Sequence, residues 1–171
     1  GSLNQPFRTW SYGVQRLFPT SGPKRLLLRR GDTFQTTGAN AGSFGPGPKI
    51  IGAYGTGADP VIQATSADNL LSLGSGDGLT VTGLRFLGTY NPATGMGLHP
   101  DVITMHSTNR HILIFKNSFS NAGLNIQVGQ LGQFEDSIIA ENTITAWHNY
   151  GILGGDTTRV AVIGNGMVGL T

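Results

Sequence analysis

The chain has 171 residues, 27 of them glycine, only 12% charged and none cysteine, with a formal net charge of +2. The length suits one domain with a core of its own, while the lack of cysteine excludes a disulfide framework and any thiolate metal site. The small net charge gives no argument for nucleic acid, and no run of about 18 apolar residues offers a membrane span.

The first residues differ from the rest. Gly1-Ser2 reads as a cloning scar, and no secretory leader is legible, as would hold for a mature secreted chain. A short helix is predicted from Thr9 as N-cap, with Trp10, Val14 and Leu17 on one face. Pro19 and Gly22-Pro23 stop it. Gly13 inside it costs about 1 kcal/mol of intrinsic propensity, so docking has to hold it. Arg8, Arg16, Lys24, Arg25, Arg29 and Arg30 all precede the first acid, Asp32. Such a basic end is either a solvated cap or an attractor of anionic polysaccharide.

Short β-rich runs follow, separated by Gly, Pro, Asn, Asp or Ser: Leu26 to Arg29, Thr33 to Thr37, Lys49 to Ala53, Val61 to Ala64 and Leu70 to Leu73. Then one eight-residue pattern recurs four times, as LTVTGLRF (79–86), ILIFKNSF (112–119), SIIAENTI (137–144) and VAVIGNGM (160–167). Its third member is always β-branched (Val81, Ile114, Ile139, Val162) and its eighth always large and apolar (Phe86, Phe119, Ile144, Met167). The sixth is Asn in three copies (Asn117, Asn142, Asn165), with Leu84 the exception. The starts lie 33, 25 and 23 residues apart, the range of stacked supersecondary units. A second strand family falls between the copies, at Val102 to Met105, Asn125 to Val128 and Gly151 to Leu153.

Each unit has too few inward apolar residues to close a core alone, so equivalent strands must stack at about 4.8 Å. The expectation is an all-β, right-handed parallel β-helix, a solenoid of about six turns with a short N-terminal α-helical cap. Residues 1–24 form the capping segment and 25–171 the solenoid. The repeated Asn follows a strand at a sharp corner, where left-handed backbone is expected of it, and its amide can bond along the column as an Asn ladder.

Three stretches carry a resemblance: LLLRRGDTF (26–34), IIGAYGTGADPVI (50–62) and HPDVITMHSTNRHILIFKNSF (99–119). They resemble the right-handed parallel β-helix proteins of the pectate-lyase-like superfamily. The resemblance spans nearly the whole chain and implies a polysaccharide as partner, a secreted, extracellular or periplasmic location, and a lyase- or hydrolase-like parent. It is specific for fold and poor for reaction, since the same scaffold serves lyases, hydrolases, epimerases, tailspikes and binding proteins.

The expected site lies at a corner. Leu87 to Pro100 is the longest irregular connection, and insertions at one corner of a solenoid commonly build its binding face. Stacking brings Tyr90, His99 and Asp101 within about 10 Å of Trp147 and His148, a grouping suited to sugar rings and hydroxyls. The structural alternative is that Trp147 and Tyr150 only close the corner over the core.

Chemistry is less legible. β-Elimination needs a base beside the uronate, and the candidates are Arg85, His106, Arg110, His111 and Lys116. Hydrolysis needs two carboxylates about 5–9.5 Å apart. Asp101 is the best-placed acid, with Glu135 and Asp136 expected in another loop and Asp156 at the opposite corner. Asp101, His106 and Lys116 are the catalytic set if the chain is an enzyme. Lys116 and Glu141 share one repeat member and are expected to form a cross-strand ion pair. His99, His106, His111 and His148 lack the spacing of a helical zinc site. No cofactor is called for, and calcium on carboxylates and loop carbonyls stays open. The glycines of Gly74 to Gly78 precede no helix, so they make no phosphate cradle.

Repeat members two and four point outward and become apolar along the chain, from Thr80 and Thr82 to Leu113 and Phe115, Ile138 and Ala140, Ala161 and Ile163. With the final strand pattern running to Thr171 uncapped, the expectation is either an N-terminal fragment of a longer β-helix or self-association through that end or that face. The functional expectation is a carbohydrate-active module acting on or binding a polysaccharide. The alternative is a non-catalytic glycan-binding or structural, self-associating fragment.

Overall fold

Runs whose alternate side chains are apolar can bury only one edge-on row each, and in this chain they do so by lying beside their equivalents in parallel. The computed structural model describes residues 6–97 and 100–168. It is an all-β fold with 56% of residues in strands, its parallel sheets curled, and one short helix, α1 (Trp10–Leu17).

One sheet has the order β1 (Lys24–Arg29), β4 (Lys49–Tyr54), β7 (Gly76–Thr82), β10 (Asn109–Phe115), β12 (Phe134–Ala140) and β14 (Thr157–Ile163). The other begins with β2 (Thr33–Thr36), β5 (Val61–Ala64), β8 (Arg85–Leu87) and β11 (Ser118–Val128). It then returns through β9 (Asp101–Met105), β6 (Leu71–Leu73) and β3 (Asn40–Gly42), while β13 (Thr143–Gly154) pairs with β11 and with β15 (Gly166–Val168). This order arises because β11 is shared. Its residues 118–120 pair with β8 and its residues 124–128 with β9. The strands therefore form three parallel stacks, which the chain visits in constant order.

The predicted interior file is present. Leu26, Ile51, Val81, Ile114, Ile139 and Val162 are successive register partners. The first five are buried, while Val162, in the last strand of its sheet, is 52% exposed. A second file runs Phe34, Ile62, Phe86, Phe119, Ile144, Met167, with Phe86 and Phe119 stacked at 5.2 Å and 9°.

Two local expectations are corrected. The left-handed corner residue is not Asn but the one before it: Gly83, Lys116, Glu141 and Gly164 have φ of 67°, 53°, 52° and 62°. Placing the turn one residue earlier turns the Asn side chain onto its neighbours. Asn142 Nδ2 donates to Asn165 Oδ1 at 2.9 Å and to the Ile114 carbonyl at 2.9 Å, while its own Oδ1 accepts from Asn117 N–H at 3.0 Å. The ladder is real and the conformational reason for it is different. Second, the strands expected as separate runs around residues 118–128 and 143–154 are continuous. Left-handed Asn121 and Ala146 bend them without ending them.

Thr9 caps α1, its hydroxyl accepting from Tyr12 N–H, and Trp10, Val14 and Leu17 are buried. The helix packs on β1, β2 and β3, the first strand of each stack. Gly13 is a close-approach position, since a Cβ there would lie 2.9 Å from Leu26 Cδ1. Trp10 Nε1 donates to the Leu70 carbonyl at 2.7 Å, fixing the helix to the second circuit of strands. On the outer face of the first sheet Ile138 is 43% and Ile163 60% exposed, Leu113 and Phe115 are half-buried, and Ala140 is buried.

Candidate functional site

The corner after β8 is built by backbone contact. Gly88 N–H donates to the Ser120 carbonyl and Tyr90 N–H to the Asn121 carbonyl, at 2.9 and 3.0 Å. A Cβ at Gly88 would collide with the Asn121 backbone, so only glycine lets the segment lie this close to β11. The connection then turns back on itself, with Asn91 N–H donating to the Met96 carbonyl at 2.6 Å.

This anchoring sets Tyr90 beside the bend of β13, where its ring meets His148 edge-on, centroids 5.1 Å apart. Trp147 pairs in register with Ala122 and packs, partly buried, against the core. It thus forms part of the wall of the corner. Tyr150 is 54% exposed. It lies in register with Leu124, which in turn pairs with Asp101. Tyr90, His148, Tyr150 and Asp101 therefore border one bend, that of β11 and β13. His99 lies outside the described residues.

Asp101, the first residue of β9, is half-buried. Burial pushes its carboxyl above the usual carboxylate value, offset in part by the electrostatic influence of His106 and by the Leu124 N–H. His106 follows the last residue of β9, so it belongs to the other end of that strand. Lys116 sits at a different corner, between β10 and β11. There it pairs with Glu141 at 3.5 Å, as expected, and lies 4.8 Å from the centre of the Phe115 ring. Lys116 is not among the charges that act on Asp101.

Glu135 and Asp136 were expected in a loop but belong to β12, because the strand begins at Phe134. Arg159 donates to Asp136 at 2.7 Å and holds its carboxyl below the usual range. Arg110 Nε lies 3.2 Å from Glu135, and His111 contacts Asp77 at 2.6 Å. These acids are therefore engaged in a corner network next to left-handed His111, Asp136 and Arg159. Among the described residues no three His, Asp or Glu stand together as metal ligands.

Sequence reasoning missed Tyr150 as a bordering ring, since its alignment with Asp101 depends on a register shift between Ala122 and Leu124. It also missed Asn125, fully buried with both amide atoms unpartnered. Comparison of the chain with protein-family models, with curated proteins and with solved structures finds no match. The site must be judged on its own geometry: the exposed rings of His148 and Tyr150 beside half-buried Tyr90, an acid of raised pKa and backbone groups at a bend.

Proposed function

We propose that the chain is a right-handed parallel β-helix of the pectate-lyase-like kind, and that its flank at the β11–β13 bend binds a polysaccharide without cleaving it. The observation that carries this reading is the meeting of Tyr90 with His148, 58 positions apart, on a flank that also presents Tyr150 and Asp101. Aromatic faces cover the apolar side of a pyranose, and carboxyl, imidazole and phenol groups bond its hydroxyls. A stack of strands supports such a strip rigidly, so little ordering cost opposes binding.

Binding is preferred to cleavage because Lys116 stands at another corner, paired with Glu141, and is not among the charges that act on Asp101. Elimination and hydrolysis both need the acid and base to converge on one sugar linkage. The same reading places the protein outside the cytoplasm, where polysaccharides of this class are met, and needs no cofactor.

Titration against pectate, alginate, heparin and neutral glucans, with and without EGTA, tests this reading. Saturable binding of at least one glycan is expected, lost on Tyr90→Ala or Tyr150→Ala, with neither unsaturated products nor new reducing ends. Turnover that disappears in Asp101→Asn or Lys116→Gln would instead establish an enzyme, and dependence on EGTA would establish calcium. Absence of binding to every glycan would end the proposal.

A further inference from the structure

A different surface, at β1, the first strand of the six-stranded sheet, has the features of a peptide-docking edge. β1 pairs with β4 on one side only. Lys24 N–H donates to the Pro48 carbonyl and Arg30 N–H to the Tyr54 carbonyl. In a parallel ladder alternate residues face one neighbour, so the N–H groups of Arg25, Leu27 and Arg29 face away from β4. No described residue accepts from them.

A groove of about 1010 Å³ runs along this edge, bordered by Phe7, Arg8 and Thr9 on one side and by β1, Phe34 and Tyr54 on the other. Its floor includes Leu26 and Leu28, and Leu27 is 40% exposed. Arg8, Arg25 and Arg29 border it, and none forms an ion pair among the described residues, whereas neighbouring Arg30 is paired with Asp59. The one acid in its lining is Asp32.

We infer that this edge accepts an extended acidic peptide as an added strand. The alternation of β1, with Arg25, Leu27 and Arg29 outward and Leu26 and Leu28 inward, prescribes the guest. Its acidic side chains lie beside the arginines and its apolar ones over the leucines, while its backbone completes the open ladder. A second copy of this chain is a poor guest, because the two basic ends repel. A polyuronate has the charge but no N–H and C=O row to pair with the strand, so the peptide is favoured. The inference uses none of the residues of the proposed glycan flank.

Fluorescence anisotropy with a fluorescein-labelled peptide of alternating Glu and Val tests it on the whole chain. Saturable binding is expected, weakened roughly tenfold or more by the double change Arg25→Glu and Arg29→Glu. The same peptide N-methylated at alternate residues should lose binding to the same degree with the wild-type protein, a readout that needs no variant to fold. Tyr90→Ala should leave the peptide affinity unchanged. The inference is overturned if the peptide does not bind, if N-methylation has no effect, or if pectate or a second copy of the chain occupies the edge in its place. In those cases the arginines serve only to keep the open strand from pairing with its own kind.

Discussion

Asp101 is held by the fold at a cost. Burial raises its carboxyl above the ordinary 3.8, although His106 and the Leu124 N–H work against the shift. Between 3.8 and its raised value the folded state keeps a proton that the unfolded state has lost, so stability falls as pH rises through that window. Asp136 has the opposite sign, because Arg159 holds it low. Its contribution is present above 3.8 and is lost as pH falls through its folded value. We therefore expect Asp101→Asn to raise the melting temperature at pH 7 and to change it little at pH 3, where the wild-type carboxyl is already protonated. A loss of stability at pH 7 would show that the carboxylate is satisfied rather than strained. Single residues also mark where sequence reasoning stops. Left-handed backbone was assigned to Asn by preference, yet Lys116 and Glu141 adopt it, since register in the stack decides which position turns and local propensity is overridden.

At the level of elements, the Asn column does what the β-branched file cannot. Apolar side chains fill the interior, but the corner leaves backbone groups that no strand reaches, and the amides take them up. Asn142 is buried and serves four partners, including the Ile114 carbonyl and the Asn117 N–H. Replacing it by Ala orphans at least two buried groups at about 1–3 kcal/mol each, so a loss of roughly 3 kcal/mol is expected. For a chain of this length that is a fall of about 6–12 °C in melting temperature. Asn165→Ala, at a half-buried rung, should cost under about 1 kcal/mol. Equal costs at the two rungs, measured by thermal or urea unfolding, would show that the column is not acting through burial. The ladder was legible because the repeat prints Asn at one member in three successive copies. The continuity of β11 and β13 through their bends was not, because Ser120-Asn121-Ala122-Gly123 reads as a break between strands and Ala146 carries no turn signal at all.

The whole molecule is governed by one relation: each strand lies beside its equivalent one circuit later. That relation was legible because every copy of the repeat meets the same interior and selection for it leaves the same residue types at the third and eighth members. It also made Tyr90 and His148 legible as neighbours, through their offsets within the pattern. The path of the connection carrying Tyr90 was not legible, since it rests on backbone contacts at Gly88 that no periodicity encodes.

The chain has no cysteine, so pairs of spin labels can be introduced cleanly. Arg25, Ile50, Thr80, Leu113, Ile138 and Ala161 are successive outward register partners. Labels at Arg25→Cys combined in turn with Leu113→Cys, Ile138→Cys and Ala161→Cys should give backbone separations of about 14, 19 and 24 Å by double electron–electron resonance, a steady increment of roughly 4.8 Å per strand. Distances that fail to rise in that order, or that are equal for the three pairs, would contradict the stacked-circuit account directly.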